Sequence, residues 1–162
     1  MRILGIDPGI GRCGWSILDS KGQVMTAKNF GCIETFNDKK IEERLEVVYK
    51  EITKLIKKYS PDVMAIEELF FGNNAKTAFM VGEARGVILL CASESNLPVS
   101  IYNPLEIKMA LTGYGKAQKA QVGQMVKVLL KLKSVPKPDD TTDALAVSIT
   151  HAFSEKIQKI GK

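Results

Sequence analysis

Two short runs of the chain are apolar without alternation, "ILGI" at 3–6 and "VMAI" at 63–66, and each ends on a carboxylate, Asp7 and Glu67. A strand with one wet face alternates, so a run that does not alternate is covered on both faces. These two runs therefore demand a sheet packed between layers. The remaining pattern supplies the other parts. Spans 13–18 and 23–34, split by the turn "DSKG", read as strands following the strand at 3–7. Residues 38–58 read as an amphipathic helix, with Ile41, Leu45, Val48, Ile52, Leu55 and Ile56 on one face. Asn37 or Asp38 is its expected cap and "YSPD" its stop. A helix near 75–95, a strand at 99–102 and helices at 104–112, 117–132 and 140–156 follow. Hairpins first and strand–helix alternation afterwards predict an α/β fold, a mixed five-stranded sheet with helices on both faces.

Composition narrows the classes. The 162 residues contain no repeat or linker, so 1–162 reads as one domain. No apolar run approaches the roughly 20 residues of a membrane span, and the first residues lack a signal-peptide pattern. Three widely spaced cysteines, Cys13, Cys32 and Cys91, argue against a disulfide framework or a zinc site and for a reducing, cytoplasmic setting. With one histidine, a histidine metal cage or a Ser-His-Asp triad is not expected. The net charge of +5 is concentrated: Lys108, Lys116, Lys119, Lys127, Lys131, Lys133 and Lys137 face one acid, Glu106, in that stretch. Such a stripe suits a polyanionic partner, although a solvated helix face would look the same.

The acids carry the chemistry. Asp7 and Glu67 close two apolar strands, and open α/β sheets hold their ligands beyond the carboxyl ends of strands. A third contribution lies in "PDDTTDALAVSI", where Asp140 and Asp143 share a helix face. Each has a plainer explanation: a turn for Asp7 before Pro8, a strand-end acid for Glu67, and an N-cap with a capping box for Asp140. Together they are harder to dismiss. Unit charges about 4 Å apart repel by roughly 4 kcal/mol at an effective dielectric near 20, so gathered carboxylates call for cations. Oxygen ligands favour Mg²⁺ or Mn²⁺, and two such ions about 3.5–4 Å apart suit phosphodiester hydrolysis. Spacing alone leaves Glu67 against Glu68 and Asp139 against Asp140 open.

Three segments, "ILGIDPG", "AIEELFFGNNAKTAFMVGEARGV" and "DDTTDALAVSITH", together resemble the RuvC-type Holliday junction resolvases, in order and spacing over nearly the whole chain. The resemblance implies a ribonuclease-H-like fold and a homodimer. It further implies two Mg²⁺ ions per site, with Mn²⁺ as a substitute, and paired symmetric nicks in four-way junction DNA. The junction would be handed over by the RuvA–RuvB branch-migration motor in recombination and repair. Carried over by position, the metal-binding and catalytic acids would be Asp7, Glu67, Asp140 and Asp143. Phe70 would work against bases at the junction centre, although the residues alone leave open which of Phe70 and Phe71 is exposed and which is packed. Lys108 and Lys119 would lie near the scissile phosphate. The helix "TAFMVGEARGVILLCASE" would form the dimer interface, where Gly82 and Gly86 allow close approach. Cys13 stands where family members often have threonine.

Other readings start from the same residues. "GIDPGIGRCG" also resembles the first phosphate loop of actin-like ATPases, but the chain lacks room for their second domain and a second glycine-rich phosphate segment. A non-catalytic junction-binding protein would not need four acids. A ribonuclease-H-like nuclease with another substrate, such as RNA–DNA hybrids, fits the composition equally well; the loop "FFGNN" tilts against it.

Overall fold

The computed structural model describes residues 1–68 and 75–160, the side chains of 75–77 and 157–160 excepted. Strands β1 (Arg2–Asp7), β2 (Arg12–Lys21), β3 (Val24–Glu34), β4 (Val63–Glu67) and β5 (Val99–Tyr102) form one sheet in the order β3-β2-β1-β4-β5. The first three run antiparallel to their neighbours, and β4 and β5 continue from β1 in parallel. Helices α1 (Ile41–Tyr59) and α2 (Ala75–Glu94) cover one face. Helices α3 (Pro104–Thr112), α4 (Lys119–Leu129) and α5 (Asp139–Ile160) cover the other.

The apolar runs divide their side chains between two cores. Leu4, Ile6, Met64 and Ile66 pack under α1 and α2, with Val48, Ile52 and Ile88. Ile3, Val63 and Ala65 pack under α3 to α5, with Val126, Leu145 and Ile149. Neither face of β1 or β4 is wet, hence the missing alternation. Cys13 is fully buried in the first core, and burial above all pushes its thiol up to about 12, so it behaves as an inert apolar side chain.

Four boundaries differ from expectation. Strand β2 runs on to Lys21, so three residues of the expected turn "DSKG" are strand and Gly22, with φ 58°, begins the turn. Neither Asn37 nor Asp38 caps α1; they lie in a turn closed by the Lys39 N–H on the Phe36 carbonyl at 3.3 Å. The Glu43 carboxylate instead reaches back to accept the Lys40 N–H at 3.0 Å. Helix α4 ends at Leu129 rather than near 132 because Lys131 turns left-handed, with φ 53°. Helix α5 runs on to Ile160, past the expected end near 156.

The seating of α5 depends on missing side chains. A Cβ on Gly5 would stand 2.4 Å from the Ala144 carbonyl oxygen, and one on Gly14 would stand 1.9 Å from that of Asp140. Both glycines thus let the α5 backbone lie directly on β1 and β2. Ser16 locks the seat, its hydroxyl 2.9 Å from the Ala144 carbonyl and 2.7 Å from the Ser148 hydroxyl. Among the described residues no helix is long and apolar enough to cross a membrane.

Candidate active site

Asp7 is the last residue of β1 and Glu67 the last of β4; Ile6 and Ile66, one residue earlier, are register partners. The parallel pairing therefore brings both acids out side by side at one rim. Asp7 is also paired with Gly14 across β1 and β2, and Gly14 is where α5 touches the sheet, at Asp140. Two strand registers and one close helix contact thus converge Asp7, Glu67, Asp140 and Asp143 on a single rim.

Their electrostatics follow from that convergence. Burial pushes the Asp7 carboxyl up to about 8, reinforced by the charges of Glu67, Asp143 and Asp140 and opposed by Lys119. Burial likewise raises Glu67 to about 7, with Asp143 adding to it and Lys119 and Lys108 countering. Asp143 is raised mainly by burial, held back by Lys119.

Two cations stand among the acids: Lys119, expected near the scissile phosphate, and Arg12, which the sequence reading did not single out. The Lys119 ammonium is 2.7 Å from Asp143, and the Arg12 guanidinium is 3.2 Å from Asp140. Burial alone would pull Lys119 down, but its bond to Asp143 and the Asp143, Asp139 and Asp7 charges raise it overall. Arg12 is close to Asp140 without hydrogen-bonding geometry, so the buried Oδ2 of Asp140 has no hydrogen-bond partner. With these cations in place, no three His, Cys, Asp or Glu side chains among the described residues are disposed to hold one metal ion. Asp7 and Glu67 form no ion pair among the described residues.

The members of each acidic doublet differ in exposure. Glu67 is half-buried, facing Asp143, while Glu68 is exposed. Asp139 is 48% exposed and bonded to Lys137 at 2.5 Å, whereas the Asp140 side chain is 23% exposed. Lys108 and Lys119 border a cavity of about 280 Å³, with Glu67 and Asp143, over a floor that includes Ile107 and Val122. Phe70 and Phe71 lie outside the described residues. Arg12 was the missed residue. It opens the strand that returns past Asp7, and an exposed arginine at such a place carries no signal in the sequence.

The profile of the family described as crossover junction endodeoxyribonuclease RuvC matches residues 3–151. The chain belongs to the RuvC family. It is 49% identical to the RuvC of Fusobacterium nucleatum, over 95% of this chain and 81% of that protein. It is 50% identical to that of Caldicellulosiruptor saccharolyticus, over 95% of this chain and 93% of that protein. The structure of Thermus thermophilus RuvC superposes with a TM-score of 0.91 at 33% identity, covering 98% of this chain and 97% of that one. The same protein in complex with a Holliday junction substrate gives 0.89 at 31% identity, covering 97% and 96%. The ribonuclease-H-like fold expected from the sequence is thereby borne out.

Proposed function

We propose that this RuvC-family chain resolves four-way DNA junctions by paired symmetric nicks, as a homodimer, using divalent cations held by Asp7, Glu67, Asp140 and Asp143. The observation that carries the reading is the convergence of these four acids at one rim, two of them with carboxyls raised to about 8 and 7. The donor set fits a hard cation: every group is a carboxylate oxygen, and Asp140 Oδ2 is buried without a hydrogen-bond partner. Mg²⁺ or Mn²⁺, two per site, would there supply water activation and stabilisation of the leaving oxygen. The paired cations are no obstacle. Lys119 and Arg12 are 59% and 57% exposed, so each can swing away from its acid.

The other roles follow from position. Lys119 and Lys108, beside the acids, offset charge that develops on the scissile phosphate. Phe70 engages the bases at the junction centre, where stacking contributes about 1–3 kcal/mol per base. Dimerisation is assigned to α2, on which Phe79 is 72% and Leu90 50% exposed. Gly86 falls on the same face, and no described residue beyond its chain neighbours and its own helix backbone lies within 4 Å of where its Cβ would be. Handover from the RuvA–RuvB motor, a single-domain organisation and a cytoplasmic setting complete the proposal, the last in keeping with three free cysteines.

The test is a synthetic four-way junction incubated with Mg²⁺, wild type beside Asp7→Asn. Wild type is expected to give paired symmetric nicks, and the variant to bind without cutting. An uncut junction with wild type, or preferential cutting of an RNA–DNA hybrid, refutes the assignment.

A further inference from the structure

One buried cation lies outside the acid cluster. Arg44 projects from the core-facing side of α1, four residues before Val48, and is 8% exposed. An unpaired buried charge is costly, so a buried arginine ordinarily faces a carboxylate. Arg44 forms no ion pair among the described residues, and residues 69–74 and 161–162 contain no acid. Its Nε donates to the Thr35 hydroxyl at 2.9 Å. That hydroxyl donates in turn to the Ile10 carbonyl, and the Thr35 N–H bonds the Gly11 carbonyl at 3.0 Å. One edge of the guanidinium is therefore spent on the loop that follows Asp7.

The other edge faces an opening. A Cβ on Gly11 would find Arg44 Nη2 at 3.6 Å and no other heavy atom within 4 Å among the described residues. Gly11 is not among the positive-φ glycines, so its backbone does not require glycine. The absent side chain instead leaves a gap in front of a packed guanidinium. Because the loop continues β1 directly past Asp7, the gap opens at the same rim as the acids, on the α1 side of the sheet.

We propose that Arg44 binds a backbone phosphodiester of the DNA through the gap at Gly11. The planar fork of terminal N–H groups matches two phosphate oxygens, and packing has already removed the freedom such a side chain would otherwise lose. The lysine-bordered cavity lies on the α3–α5 side of the acids and Arg44 on the other. DNA held from both sides is thus fixed in register over the acids. The inference rests on the junction-binding reading above.

Junction binding is measured in chelator between about 50 and 200 mM salt for wild type, Arg44→Met and Gly11→Ala, each checked by thermal melting. Both variants are expected to flatten the slope of log affinity against log salt by about 0.9, one phosphate contact, and to weaken binding about tenfold. Gly11→Ala blocks the gap without touching the bond to Thr35. Slopes equal to wild type in both variants overturn the contact and leave the resolvase reading standing. An effect confined to Arg44→Met with a lowered melting point also overturns it, since that marks a loop clamp. Wild type that fails to bind junctions overturns both readings.

Discussion

Removing one charge from the acid cluster should stabilise the metal-free protein and abolish most of its sensitivity to pH. The folded state holds Asp7 near 8 against an ordinary 3.8, and Glu67 near 7 against 4.5. Raised carboxyls mean that the folded chain binds more protons than the unfolded one between those limits. Stability is therefore fully present below about pH 4 and is lost as pH climbs to about 8. Each displaced proton costs about 1.4 kcal/mol per pH unit. The Asp7 shift alone carries a loss on the order of 5 kcal/mol. That is a large part of the 5–15 kcal/mol typical of a domain. At about 2–4 °C per kcal/mol for a chain of this length, wild type in chelator should melt roughly 10–20 °C lower at pH 8.5 than at pH 4.5.

Asp7→Asn removes the most strongly raised carboxyl together with the repulsion Glu67 exerts on it. The variant should match wild type near pH 4.5 and melt about 10–20 °C above it at pH 8.5 without metal. Mg²⁺ should raise the wild-type melting point and leave the variant nearly unmoved. The comparison also cancels groups common to both proteins, such as His151, which burial lowers. Differential scanning calorimetry in chelator and in Mg²⁺ reads all four conditions. Parallel pH curves for the two proteins would show that Asp7 is not under the repulsion described, and the argument for cations would lose its basis.

Three further outcomes test separate links. Lys119→Ala should slow single-turnover cleavage about 10²-fold or more with little loss of junction affinity; a pure affinity loss, with a salt slope smaller by about one contact, would make it a phosphate anchor instead. Gly14→Ala places a Cβ 1.9 Å from the Asp140 carbonyl oxygen, so α5 must move. It should cost about 1–3 kcal/mol in urea unfolding and, by displacing the acids on α5, about 10² in cleavage rate; normal activity would show that the seat of α5 does not position them. Phe79→Glu, on the exposed face of α2, should shift the sedimentation coefficient from dimer to monomer while leaving far-ultraviolet circular dichroism unchanged; a persisting dimer would move the interface elsewhere.

What the sequence made legible was whatever burial writes into it. Strands β1 and β4 could be read because each sends side chains into two cores, and the missing alternation records that. The same logic misplaced the end of α4. Leu130 is buried and Leu132 packs against the same core, so the apolar period continues past the last helical residue. Periodicity reports which residues are covered, and Lys131, in the left-handed region, ends the helix beneath an unbroken pattern. The cap of α1 failed differently. Asn37 and Asp38 have the right chemistry, but Glu43 reaches back to Lys40 and starts the helix later.

At the site the acids were legible, and of their counter-charges Lys119 entered only through the family resemblance and Arg12 not at all. A carboxylate at the end of a buried strand violates an expectation, whereas an exposed Arg12 at a strand start or Lys119 at a helix start violates none. Yet those cations set the charge balance of the rim. Four carboxylates against Arg12 and Lys119 leave a formal deficit of two positive charges, and it falls on Asp7 and Glu67, the two acids without an ion pair among the described residues. These are also the acids whose carboxyls are raised well above the ordinary range, to about 8 and 7. Two divalent ions would reverse the sign of the rim, and a rim made positive, beside a lysine-bordered cavity, attracts the phosphate that is to be cut. On this account metal and DNA draw each other in.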